Sequence, residues 1–143
     1  MPWALTEVHV EVDFAFLFDY ADNAGKLHAL GIGFDTLHAP ELPATHRVFF
    51  AVIRLRFSSG EIGEMTFGLR VIDPDGKQVI DPIDGKIRIN EPPDGQTTLH
   101  HTIAMAIHGM KLERYGPHAV SWLVGGAEVK RVNFKVSSPP TSS

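Results

Sequence analysis

The sequence predicts an all-β domain: an antiparallel two-sheet sandwich of eight or nine strands, with a jelly roll or barrel as the alternative. Three observations carry this. Apolar residues recur at every second position through most of the chain. Breaks rich in Gly, Pro, Asp and Ser interrupt them at intervals of roughly 10 to 15 residues. No long stretch carries the i, i+3, i+4 apolar spacing of a helix.

Residues 46–77, HRVFFAVIRLRFSSGEIGEMTFGLRVIDPDGK, set the pattern. Phe49, Ala51, Ile53, Leu55 and Phe57 share one face of a strand, and Met65, Phe67, Leu69 and Val71 one face of the next. Ser58, Ser59, Gly60 and Gly63 break the run, so a hairpin burying one face is expected. Asp73-Pro74-Asp75-Gly76 then turns the chain, because proline presets φ and glycine tolerates positive φ.

The remaining elements follow in order. Val8, Val10, Val12, Phe14, Phe16 and Phe18 alternate with Glu7, His9, Glu11, Asp13, Ala15 and Leu17, a strand whose wet face dries out at Ala15 and Leu17. Asp22-Asn23-Ala24-Gly25 is a turn. Residues 27–36 form a second strand, with Gly31 and Gly33 marking a bulge or close contact. Residues 37–45, with two prolines and no period, are a long loop. A short strand at 78–80 stops at Pro82, and residues 86–90 resume with Ile87 and Ile89 inward. Residues 91–95 turn again. Residues 98–108 place Leu99, His101, Ile103, Met105 and Ile107 inward, and 109–116 connect onward. Val120, Trp122 and Val124 face the core, Gly125-Gly126 suits a two-residue hairpin turn, and Val132, Phe134 and Val136 end the last strand.

At 143 residues the chain suits one domain, taken as residues 1–136, with the polar, Pro-containing tail 137–143 disordered. A net charge of −4 argues against nucleic acid. Without cysteine there is neither disulfide nor thiolate metal site, which fits a cytoplasmic protein. No apolar run approaches the ~20 residues of a membrane span, and the start lacks a secretory leader.

Phe18-Asp19-Tyr20-Ala21, Gly25-Lys26-Leu27, Leu30-Gly31-Ile32, Ala39-Pro40, Pro43-Ala44-Thr45-His46 and Val71-Ile72-Asp73-Pro74-Asp75-Gly76-Lys77 together resemble a bacterial family of uncharacterised small single-domain proteins. The resemblance covers nearly the whole chain. It implies an immunoglobulin-like sandwich and carries no assigned activity. The closing hairpin also resembles the last two strands of immunoglobulin-like domains. A Gly-x-Tyr often opens the penultimate strand there; here the run is Gly116-Pro117-His118.

Eight histidines raise the question of metal. His38, Glu41 and His46 share the long loop, His101 sits on an inward strand face, and His9, Glu11 and Asp13 share a strand face. A connecting loop, a satisfied core histidine and a solvated strand face account for each in turn, and no H-x-H or H-E-x-x-H spacing occurs. Ser58, Ser59 and Ser121 lack a nucleophile-elbow context. Carbohydrate binding, a third possibility, would need exposed aromatics, and Trp3 and Tyr115 are the few candidates.

Val48, Phe50 and Val52 weigh more. They lie opposite Phe49, Ala51 and Ile53, and a strand apolar on both faces is covered on both. With Leu17 they mark an expected interface. The cover is either the 37–45 loop or another chain, a protein partner or a second copy. The sequence therefore reads as a non-catalytic interaction or structural module that needs no cofactor. The alternative is a metal-binding domain or metal-dependent enzyme using the histidines above.

Overall fold

The alternating run of residues 46–57 folds as β5 (Ala44–Ser58), the middle strand of a three-stranded sheet ordered β1 (Val10–Phe18), β5, β8 (Thr98–Leu112). The computed structural model describes residues 10–18, 20–22, 28–30, 35–58, 63–90, 95 and 98–138. A five-stranded sheet runs β4 (Thr36–His38), β10 (Ala127–Ser137), β9 (Gly116–Val124), β6 (Gly63–Ile72), β7 (Ile83–Ile89). The short strands β2 (Tyr20–Asp22) and β3 (His28–Leu30) make a separate ribbon. The fold is all-β and immunoglobulin-like, with eight strands in two facing sheets. One pair departs from the antiparallel expectation: β4 runs parallel to β10.

The core lies between the sheets. From β5 come Phe49, Ala51, Ile53, Leu55 and Phe57; from the other sheet come Leu69, Val71, Val120, Trp122, Val124, Phe134 and Val136. Burying each large apolar side chain is worth ~1.5–3 kcal/mol. The Gly125-Gly126 turn joins β9 to β10 with both glycines at positive φ, 61° and 85°. A two-residue hairpin turn of the primed type requires that geometry.

Four expectations need correction. β5 and β6 do not pair as a hairpin; β5 pairs with β1 and β8, and β6 with β7 and β9. Alternation reports which face is buried, not which strand lies alongside, and these two strands meet across the core. Residues 78–80 form no strand; Gln78 makes a single bridge to Ile72. Residues 109–112 continue β8 instead of connecting. Gly109, at φ 63°, switches the buried set from Ile103 and Ile107 to Met110 and Leu112. The fourth correction is in β1. Val12 pairs with Leu55 but Phe14 with Arg54, so Asp13 is an extra residue, a β-bulge. The bulge inverts the alternation: Val10, Val12, Ala15 and Leu17 pack on the core, and Phe14, Phe16 and Phe18 face away from it. Leu17 is therefore a core residue, 1% exposed. The expected bulge at Gly31 and Gly33 and the turn at residues 23–25 lie outside the described residues.

The core assignment is directly testable. Trp122 is buried and its Nε1–H has no partner among the described residues. Trp122→Ala is expected to cost ~3–5 kcal/mol in urea melts, as buried aromatic truncations do. Trp122→Phe should cost clearly less, since no hydrogen bond is lost. Arg131→Ala, at an exposed site, should stay within ~0.5 kcal/mol.

Candidate recognition face

The four residues weighed as metal ligands do not converge. His38 is exposed on β4, its Nδ1 3.4 Å from Ser137 Oγ, and Glu41 is exposed in the following loop. His46 pairs with Met110 and its ring lies 5.8 Å from that of Phe49. His101 sits opposite Leu55. Nine residues of strand separate those two ladder positions, about 30 Å at 3.3 Å per residue. Among the described residues no group of three or more His, Asp or Glu side chains is placed to hold a metal ion. Of the strand-face set, His9 lies outside the described residues. Glu11 is paired with Arg56, and Asp13 Oδ2 lies 2.8 Å from His100 Nδ1 and 3.5 Å from Arg54 Nε.

The Asp73 turn is also accounted for internally. Asp73 Oδ1 accepts hydrogen bonds from the amides of Asp75 and Lys77, each at 2.9 Å. Asp75 pairs with Arg114 at 2.7 Å. Burial pushes the Asp73 carboxyl up. The Lys77 and Asp75 amides, with His118 and Arg114 nearby, more than offset this and bring it below the usual value. Glu128 is lowered as well, by hydrogen bonds from Arg131 and then Ser121, with burial opposing. His118 stands third in the Gly116-Pro117-His118 run that opens β9. It is buried, stacks on Phe134 with centroids 5.3 Å apart, and its Nδ1–H donates to the Gly116 carbonyl at 3.0 Å. A carbonyl cannot donate, so Nδ1 carries the proton.

What the structure assembles instead is an aromatic face. The outer side of the β1-β5-β8 sheet carries Phe14, Phe16 and Phe18 from β1. Beside them stand Val48, Phe50 and Val52 from β5, and Ala104 and Ala106 from β8. The rings form a continuous ladder: Phe14–Phe16 at 5.3 Å, Phe16–Phe18 at 5.7 Å, and Phe18–Phe50 at 5.7 Å with their planes nearly parallel. Phe18 and Val52 are fully buried, whereas Phe14, Phe16, Val48 and Phe50 are half-buried. Glu11, Asp13, Arg54, Arg56 and His100 rim one end. Of the expected interface residues, Val48, Phe50 and Val52 lie on this face and Leu17 does not. The three phenylalanines of β1 were missed because a bulge leaves no trace in the alternation. The 37–45 loop does not cover the face. Leu37 and Ala39 belong to the core between the sheets, Leu42 packs against it, and Ala39 is tied to Ser137 and Tyr115.

A two-sheet immunoglobulin-like domain with an apolar outer face is the class these features define. The chain belongs to a family of unknown function (DUF6941), which matches residues 13–137. A comparison with curated proteins finds no match. Among solved structures the chain is similar to part of the alkylpurine DNA glycosylase AlkC of Pseudomonas fluorescens bound to DNA containing an abasic site analog. Identity is 10% and TM-score 0.51, over 92% of this chain and 31% of that one. It is also similar to part of β-glucosidase from Listeria innocua, at 11% identity and TM-score 0.51, over 92% of this chain and 16% of that one. The chain thus spans under a third of either protein, and at these identities the likeness is one of fold. An immunoglobulin-like protein of Pseudomonas aeruginosa matches over 92% of this chain and 98% of its own, at 14% identity and TM-score 0.34.

Two measurements follow. The depressed Asp73 carboxyl stabilises the fold above about pH 4, and that contribution is lost as pH falls through the lower folded value. Asp73→Ala should cost roughly 1–3 kcal/mol at neutral pH by stranding two amides, and less near pH 2. Asp73→Asn keeps the acceptor oxygen and should lie between them. Elemental analysis of untagged protein should find no stoichiometric zinc, iron or manganese.

Proposed function

We propose that this chain is a non-catalytic β-sandwich module that recognises a protein through the outer face of its three-stranded sheet. One observation carries the reading: the ladder of Phe14, Phe16, Phe18 and Phe50 stands on the side of the sheet turned away from the core. Phe14 and Phe16 are half-buried on a non-core face beside charged residues, and apolar surface with a charged rim is the composition of protein interfaces. Phe14 and Phe16 are the accessible end of the ladder, next to Arg54 and Arg56. Aromatic and arginine side chains supply most of the binding energy where interfaces have been dissected. The polar groups of the described strands serve each other through surface pairs such as Arg131–Glu128 and Lys86–Glu64.

A photo-crosslinking phenylalanine analogue in place of Phe16, used in the native host cell, should trap a discrete protein. The same analogue at Arg131, on the other sheet, should not. Phe16→Asp should abolish that product's association while leaving the urea melt within ~1 kcal/mol of the parent, since Phe16 is only half-buried. Equal trapping from both positions would sink the reading.

A further inference from the structure

The two sheets have four edge strands, and three are guarded. β1 carries Glu11 and the bulged Asp13, and lies beside β10. β4 is three residues long. β7 follows Pro82 and carries Asp84, Lys86 and Arg88 on its outward positions, with Gly85 between them. Charges, bulges, proline and brevity are the devices by which natural sheets stop another chain from adding to an edge. The Thr98–His108 run of β8 has none of them. Its eleven residues include no Lys, Arg, Asp, Glu, Pro or Gly. Among the described residues β8 pairs with β5 alone, and none of them forms a ladder with its other side. The unguarded run has a defined end. At Gly109 the φ of 63° breaks the alternation, and the exposed Lys111 follows.

We propose that β8 pairs edge to edge, antiparallel, with β8 of a second copy of this chain. The two-fold axis falls at Ile103, the middle residue of the charge-free run. Thr102 then lies opposite Ala104 of the second copy, His100 opposite Ala106, Leu99 opposite Ile107, and His101 opposite Met105. Each contact joins residues on the same side of the sheet, so core face meets core face and outer face meets outer face. A second copy is the occupant because the run is self-complementary: with no formal charge along it, two copies meet without repulsion. Small side chains also line its outer face at Thr102, Ala104 and Ala106, so the strands approach unhindered. The product is a six-stranded sheet ordered β1-β5-β8-β8-β5-β1. It brings the two aromatic faces onto one side, although the pairing itself does not depend on those faces.

The test is a charge swap read by light scattering after size exclusion. Thr102 is exposed and Ala104 half-buried on the outer face, so both accept longer side chains without entering the core. The parent should run at twice the chain mass of 15.7 kDa. Thr102→Lys/Ala104→Lys and Thr102→Glu/Ala104→Glu should each be monomeric, with circular dichroism and melting like the parent. Mixing the two should restore the dimer, since each lysine then faces a glutamate. Thr102→Lys alone should weaken the dimer by roughly tenfold or more, and serves if a double variant folds poorly. A monomeric parent at all concentrations overturns the proposal, as does a dimer that survives both double variants. So does a pair of folded charge variants that fails to associate on mixing. A parent dimer lost on Phe16→Asp but kept in the charge variants would move self-association to the aromatic face and overturn the edge pairing. An extended peptide that binds a monomeric parent at β8 would overturn it too, because the edge would then serve a foreign strand.

Discussion

The apolar character of β5 on both faces is the constraint from which the rest of this molecule follows. Its inner residues Phe49, Ala51, Ile53, Leu55 and Phe57 are all at 0% exposure, and so is Val52 on the opposite side. A strand apolar on both sides cannot sit at an edge or under water. It takes the middle of its sheet, and its neighbours must supply apolar groups on both faces as well. β8 does this with isoleucines inward and alanines outward. β1 does it by changing phase. Up to Val12 its even-numbered residues face the core, and after the Asp13 bulge its odd-numbered residues do. Bulges re-aim side chains near functional surfaces elsewhere, and here one bulge turns three phenylalanines outward.

The opposite sheet is built differently. Its outer residues are polar and paired, as in Lys86–Glu64 and Arg70–Asp84, and its buried polar groups close turns. Asp73 gathers two backbone amides at the end of β6, and His118 holds the Gly116 carbonyl while its ring packs on Phe134. Carboxylate and imidazole are thereby used to order backbone that would otherwise be left unsatisfied. Asp73 and His118 are thus engaged in architecture.

Much of this was legible in the sequence, for a physical reason. Period two follows from the pleat, so the inner faces of β5, β6, β9 and β10 and the Gly125-Gly126 turn could be read directly. Pairing partners could not. The Leu55 and Leu69 patterns are equally suited to a hairpin and to two strands meeting across a core, and only the second occurs. The alternation puts Leu17 on the wrong side, and Phe14, Phe16 and Phe18 with it, because one unpaired residue shifts every side chain after it. The same limit hid the extension of β8 through Gly109. The outer apolarity of β5 was visible at Val48, Phe50 and Val52, yet the ring ladder was not, since it rests on a register that no local signal specifies.

Edge chemistry and face chemistry meet on one sheet. Charged residues at one end of the aromatic face come from β1 and β5, with His100 the sole titratable contribution from β8. Between these ends β8 offers threonine and alanine beside the rings of β1 and β5, with His108 opposite Val48 at the far end. A small-residue shelf next to an aromatic ridge is a step in height. With β8 paired to its copy, two shelves become one floor and two ridges become its walls. The antiparallel two-fold axis then sets the charged rims at opposite ends of that trough. A ligand fitted to this shape would cross the axis and meet Arg54 and Arg56 at both ends. In the proposed dimer, the shape of this surface depends on the spacing of two copies as much as on the residues of either one.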